Sequence, residues 1–251
     1  MTRAGALMLL APVLLGATKP VLVPDVSQRE IEIAYSFTGA ELLLFGAILY
    51  PGGRAPEQPA DIAVVVKGPS EAVILREKQK IAGIWINADS TRFRSAPAYY
   101  AVASSRPLNQ LVDDRTGAIY ELGLRNIALS PASSALPDVQ KRFEAGLVDL
   151  KRRDSLYIEA PNGVEISEGV LYRARITIPA RAPPGRYTAE TFLIQDGRVV
   201  AAAVRDITVD TSGFERFVAG VARDHSPAYG LAAVMISIGL GWGAGAAFRR
   251  F

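Results

Sequence analysis

Apolar and polar residues alternate with a period of two at several places in the first hundred residues. Ile31, Ile33 and Tyr35 interleave with Glu30, Glu32 and Ala34, the spacing of a strand with one buried face. Glu41 to Leu49 is a longer apolar run. Asp61 to Lys67 (DIAVVVK) is rich in β-branched residues and closed by Gly68-Pro69. Val73 and Leu75 alternate, and Ile81 to Asn87 (IAGIWIN) and Ala98 to Ser104 read as further strands. The Pro- and Gly-rich stretch Pro51 to Pro59 reads as a turn or an exposed excursion. Short strands at this density predict a β-sandwich.

The pattern then changes. Leu108, Leu111, Ile119 and Leu122 are spaced as on a helix. Beyond the Ser/Pro-rich stretch Ser130 to Pro137, Val139, Phe143, Leu147 and Leu150 form one apolar helical face, with Lys141, Arg142, Glu144, Lys151 and Arg152 elsewhere. Strands resume from Ser155 to Asp210. Leu171 to Ile178 alternates, Gly185-Arg186-Tyr187 enters the run to Gln195, and Asp196-Gly197 predicts a tight hairpin turn into Arg198 to Val209. Tyr187, at the start of its strand, is placed as a packing and corner residue of the kind found in immunoglobulin-like sandwiches. The expected fold is therefore mainly β: two immunoglobulin-like β-sandwich modules, 18–105 and 154–212, with a helical insert, 106–153, plus one C-terminal transmembrane helix.

That helix is the 23-residue stretch Ser226 to Phe248, which contains no charge and is followed by Arg249, Arg250 and Phe251. At about 1.5 Å per residue it reaches about 34 Å, enough for a hydrocarbon core of about 30 Å. Ala233, Ser237, Gly241 and Gly245 recur every four residues, and Gly239, Gly243 and Ala247 form a second row. Such rows let helix backbones approach closely in a membrane, so a membrane-protein partner or self-association through this helix is expected. Before it, Phe214, Phe217, Val218 and Val221 predict a short amphipathic juxtamembrane helix within 213–225, ended by Ser226-Pro227. At the other end, Arg3 precedes an apolar run from Ala4 to Ala17, the form of a cleaved signal peptide over 1–17. Together these predict a body exported across the cytoplasmic membrane and a short cytoplasmic tail, 249–251, whose arginines follow the positive-inside tendency.

Composition narrows the chemistry. The 251 residues carry a net charge of +3, against a nucleic-acid binder, and the slightly positive mean hydropathy, +0.18, reflects the two apolar ends. There is no cysteine and His225 is the only histidine. Disulfides, thiolate nucleophiles, multi-histidine metal sites and a Ser–His pair in the body are thereby excluded. No SxxK spacing, GxSxG elbow or GxxxxGK[ST] loop occurs. No cofactor, metal or catalytic residue is expected. Asp113-Asp114 reads as a turn or cap, and Lys151-Arg152-Arg153 as a solvated face. Ser104 or Ser105 is placed as the cap of a helix begun by Pro107, and Arg106 is a candidate anion-binding residue.

The segments FTGAELLLFGAI (Phe37 to Ile48), VVVKGP (Val64 to Pro69), IAGIWIN (Ile81 to Asn87), AYYAVASSRPL (Ala98 to Leu108) and PPGRYTAETFLIQDG (Pro183 to Gly197) resemble an alphaproteobacterial transmembrane protein family known as Alph-Pro-TM. The resemblance implies a single-pass inner-membrane protein with a periplasmic body. It carries no site residues, and it points to an accessory role beside sulfite-exporter-type permeases. The expected function is a non-enzymatic interaction or accessory module of a membrane complex. Two alternatives are an envelope glycan-acting enzyme using paired carboxylates, which requires two acidic side chains about 5 to 10 Å apart across a cleft, and a periplasmic small-ligand or oxyanion-binding module in which Arg106 or Arg153 converges on a pocket.

Overall fold

A computed structural model describes residues 19–33, 39–53, 56, 60–132, 136–211 and 214–248; the expected signal peptide lies outside them. In chain order the strands are β1 (Val21–Val26), β2 (Glu30–Ile33), β3 (Ala40–Leu49), β4 (Asp61–Lys67), β5 (Ser70–Ile81), β6 (Ile84–Pro97) and β7 (Tyr100–Ser104). Two short helices follow, α1 (Leu108–Leu111) and α2 (Asp114–Ile119), then the two-residue β8 (Ser130–Pro131) and the long α3 (Pro137–Arg153). The remaining strands are β9 (Tyr157–Pro161), β10 (Val164–Ser167), β11 (Leu171–Ile178), β12 (Gly185–Gln195) and β13 (Arg198–Thr211). The chain continues into α4 (Phe214–Asp224) and α5 (Ser226–Phe248).

The fold is mainly β, in three sheets, but the strands are not grouped as the two expected modules. One sheet runs β1-β3-β11-β10 and a second runs β2-β13-β12-β4-β7-β9. Each mixes strands from before and after the helical segment: Ala40 of β3 opposes Ile178 of β11, and Val64 of β4 opposes Thr191 of β12. A single core joins Leu42 and Ile62 to Ile178 and Leu193, all essentially solvent-free. The expectation of separate modules at 18–105 and 154–212 is thus corrected. Periodicity marks which face of a strand is buried but not which strand lies beside it.

Local pattern and position agree closely. In β1 and β11 alternate residues are buried, as a strand covered on one face requires. In β4 all five residues from Ile62 to Val66 are solvent-free, so this central strand is covered on both faces and its unbroken apolar run follows. Asp196 and Gly197 both take positive φ, 49° and 75°, and form the two-residue turn between β12 and β13 predicted from the sequence. Tyr187 is fully buried and its hydroxyl donates to the Pro183 carbonyl, 2.7 Å, the corner role assigned to it.

Within the first sheet, β1 crosses β3 tightly at Gly46, which stands opposite Pro24. A Cβ there would lie 2.5 Å from the Val23 carbonyl oxygen and 2.9 Å from Pro24 Cα, both backbone atoms that cannot rotate away. Gly46→Ala is expected to destabilise the fold by about 1–3 kcal/mol, read as a lower denaturation midpoint with unchanged denaturant slope.

The third sheet departs most from expectation. IAGIWIN is not one strand; it is broken by a two-residue turn at Ala82-Gly83, both at positive φ, and forms the tip of the long β5–β6 hairpin, with β8 beside its base. A small second core, Phe93, Ala96, Phe143 and Leu147, packs α3 against that base. Leu150, expected on the buried face of α3, is exposed.

Candidate functional site

The backbone is helical across all of Ser226–Phe248, and α5 follows α4 directly in the chain, with only His225 between them. His225 N donates to Val221 O and Tyr229 N to His225 O, each at 2.9 Å, the last bond of α4 and the first of α5, so the helix is interrupted at His225, beside the end expected at Ser226-Pro227. Every described side chain of α5 is exposed. The large ones, including Leu231, Val234, Met235, Ile236, Ile238, Leu240 and Trp242, fall on all sides of the helix. Trp242 is 72% exposed. Of the small-residue rows, Ser237 Oγ donates to the Ala233 carbonyl at 2.8 Å, and a Cβ built at Gly239, Gly241 or Gly245 would meet nothing within 4 Å beyond its chain neighbours and the nearby backbone of its own helix. The side-chain positions of Gly243 and Ala247 lie outside the described residues, as do those of Phe214 and Phe217 in α4. Unbroken described side chains in α5 run from Ser226 to Trp242, about 25 Å at about 1.5 Å per residue. Among the described residues no helix is long and apolar enough to cross a membrane.

On the body, one cleft brings two carboxylates together. Lys67, at the end of β4, lies 2.8 Å from Glu121 and 3.2 Å from Glu190 of β12, in a cleft also lined by Tyr120 and Phe192. Burial alone would lower the Lys67 pKa, but the Glu121 hydrogen bond and the charges of both carboxylates outweigh it and raise it. Both carboxylates thus face each other across the same ammonium, an arrangement to be weighed against the paired carboxylates of a retaining glycoside hydrolase, which stand about 5–5.5 Å apart. A lysine ammonium fills the space between the carboxylates, where a glycosidic bond would sit. The cluster is an ion triad that ties the end of α2 to the sheet. Sequence spacing gives no sign of it, since the three residues are far apart and the sheet register aligns them.

At the opposite end of the sheet, Arg106 Nε donates to Asp61 Oδ1 at 3.0 Å and its Nη2 to Oδ2. Ser105 Oγ donates to the same Asp61 Oδ1, 2.7 Å, and accepts from Ile62 N, 3.2 Å. Ser105 thus anchors Asp61 and does not cap α1, which has no side-chain cap; Ser104 is buried in β7. The guanidinium of Arg106 is engaged by a carboxylate, and Arg153 pairs with Asp149 within α3. Asp113 caps α2, accepting from Thr116 N at 2.7 Å, in line with its sequence reading. Lys151 is paired with Glu71 of β5, so the basic run is divided between the hairpin base and solvent. Among the described residues no group of three His, Cys, Asp or Glu could hold a metal ion.

Burial raises the Asp61 pKa, but the hydrogen bonds from Arg106 and Ser105 and the Arg106 charge together exceed it, and the net shift is downward. A carboxylate with a lowered folded pKa stabilises the fold above its unfolded value, about 3.9, and loses that contribution as pH falls through the folded value. The stability gap between wild type and Asp61→Asn is therefore expected to be full at about pH 6 and to shrink below about pH 4. Denaturant titrations at several pH values check this; a gap that widens with acid contradicts it.

The described chain is a mainly β body carrying an apolar C-terminal helix that its own body does not cover. Residues 21–250 match the family described as "Putative transmembrane protein (Alph_Pro_TM)", and the chain belongs to that family. No curated protein matches it. Among solved structures, the sporulation control protein Spo0M from Bacillus subtilis is similar at a TM-score of 0.31 and 11% identity, over 82% of this chain and 56% of that one. The chain thus spans little more than half the length of that protein.

Proposed function

We propose that the protein is a non-enzymatic interaction or accessory module tethered to the cell inner membrane. Its β body is periplasmic, α5 is the single span, and Arg249 and Arg250 lie in the cytoplasm. One observation carries the reading: α5 is apolar on every side and its large side chains are exposed. A helix of that composition is covered either by protein or by lipid, and the body supplies no such cover. The family description agrees with a membrane location. The backbone length of α5, 23 residues, matches a hydrocarbon core of about 30 Å.

The rows Ala233, Ser237, Gly241, Gly245 and Gly239, Gly243 suit close approach of a second helix, from a membrane-protein partner or another copy of this chain. A transporter of the sulfite-exporter type is the partner class suggested by the resemblance. Crosslinking from positions 241 and 245 in intact membranes, followed by purification in detergent, tests this. Capture of a membrane protein or a self-dimer supports the reading, and capture of neither refutes it. Reporter fusions at each terminus test the orientation, and an exported C-terminus overturns it. The glycan-hydrolase alternative is disfavoured at the Glu121/Glu190 cleft by Lys67, and the oxyanion alternative at Arg106 by Asp61.

A further inference from the structure

The β5–β6 hairpin is the β4–β7 ladder prolonged beyond the body. Lys67 opposes Tyr100, Gly68 N donates to Tyr99 O, Ala98 N donates to Pro69 O and Ser70 opposes Pro97. The register is thus unbroken from sheet to arm. The root is braced, since the Tyr157 hydroxyl donates to the Pro97 carbonyl at 2.8 Å. Helix α3 covers the first part through Lys151–Glu71 and Arg142–Glu77 ion pairs and through Phe143 and Leu147. Beyond Glu77 and Asp89, which both meet Arg142, the segment Lys78 to Asn87 extends past this cover.

Its composition is that of a membrane-interface element. It contains Ile81, Ile84, Trp85 and Ile86, all exposed, with Ile84 at 68% and Trp85 at 65%. Its only charges are Lys78 and Lys80, for which no ion pair occurs among the described residues. Lys80 stands opposite Trp85 and Lys78 opposite Asn87, so lysines and tryptophan share one face. Ile81 opposes Ile84 and Gln79 opposes Ile86, which puts the isoleucines on the other face. Tryptophan prefers the headgroup level, and lysine stems lie along apolar surface with the ammonium at the phosphates.

The topology aims the tip toward the side from which the C-terminal helices leave. β4 and β13 each run antiparallel to β12, so they point the same way. The end of β13 (Val209 opposite Gly185) and the root of the arm (Lys67 opposite Thr188) lie at the same end of the sheet. Counted along the register, the tip lies about ten residues past the end of β13, about 30 Å at about 3.3 Å per residue. Helix α4 covers about 16 Å at about 1.5 Å per residue before α5 begins. From this we infer that the tip, Lys78 to Asn87, inserts into the headgroup region of the bilayer that holds α5, with its lysines on anionic phospholipid. The body is then held at two points and its orientation on the membrane is fixed. This inference rests on the tethered reading above.

The two tryptophans in the chain, Trp85 and Trp242, allow the two to be tested apart. The full-length protein is reconstituted into vesicles of phosphatidylethanolamine and phosphatidylglycerol with brominated acyl chains. Trp242→Phe leaves Trp85 as the reporter of the tip, and Trp85→Phe leaves Trp242 as the reporter of α5. Bromine quenching of both is expected. Trp85 quenching is expected to fall when phosphatidylglycerol is replaced by phosphatidylcholine, because each lysine near an anionic surface contributes about fivefold in partitioning. A quenched Trp242 with an unquenched Trp85 overturns the inference and leaves the tether standing. An unquenched Trp85 that is also shielded from aqueous acrylamide assigns the tip to protein cover and overturns it equally. Trp85 quenching indifferent to phosphatidylglycerol overturns the role given to the lysines. An unquenched Trp242 removes the tether and this inference with it.

Discussion

Replacing Ile238 with arginine is expected to release the protein from the membrane. Ile238 is an exposed side chain near the middle of Ser226–Phe248, in a stretch with no charge to pair with. At the centre of a span, arginine costs about 2.5–3.5 kcal/mol on insertion and isoleucine contributes about −0.3 to −0.6. The change therefore weakens insertion by about 3–4 kcal/mol, a factor of several hundred. This helix has little hydrophobicity in reserve, because glycine occupies positions 230, 239, 241, 243 and 245. The measurement is the fraction of protein resisting alkaline carbonate extraction, with Ile238→Leu expected to remain membrane-bound. An arginine variant retained as well as wild type refutes the single span.

Leu193→Ala is expected to lower the stability of the whole body in one transition. Leu193 is solvent-free in β12, between Ala201 of β13 and Ile62 of β4. Truncating a buried leucine costs about 2–5 kcal/mol, from lost transfer energy and the cavity left behind. For a body of this size each kcal/mol moves Tm by about 2–4 °C, so a loss near 3 kcal/mol lowers it by about 6–12 °C. Because β12 is hydrogen-bonded to β4, strands from both halves should melt together. Calorimetry showing two transitions, of which only one moves, would restore two independent modules.

The same leucine marks how much of the fold the sequence discloses. Its place in an apolar run from Tyr187 to Gln195 marks it as buried, and Asp196-Gly197 marks β13 as the neighbour on one side. Nothing in the pattern names β4 as the neighbour on the other. The hairpin arm shows the same division: IAGIWIN has the composition of a core strand, and only the pairing of Ile81 with Ile84 turns it into an exposed tip. Ser105 and Arg106 were legible as polar residues at a strand end, but Asp61, their partner, lies 44 and 45 residues away and leaves no trace in spacing. The Lys67, Glu121 and Glu190 triad was missed for the same reason.

By itself the sequence determined what depends on neighbours along the chain. It placed the alternating faces of β11, the β-branched strand β4, the turn at Asp196-Gly197, the cap at Asp113, and a C-terminal helix with no charge for 23 residues. Backbone geometry and the cost of burying polar groups act over a few residues, so these features are written locally. Only the tertiary structure decided which strands share a sheet, that the two halves form one core, and that the arm leaves the body at the end where the C-terminal helices begin. Hydrophobic burial rewards any apolar face equally, so partner choice is settled by shape and register across the whole chain.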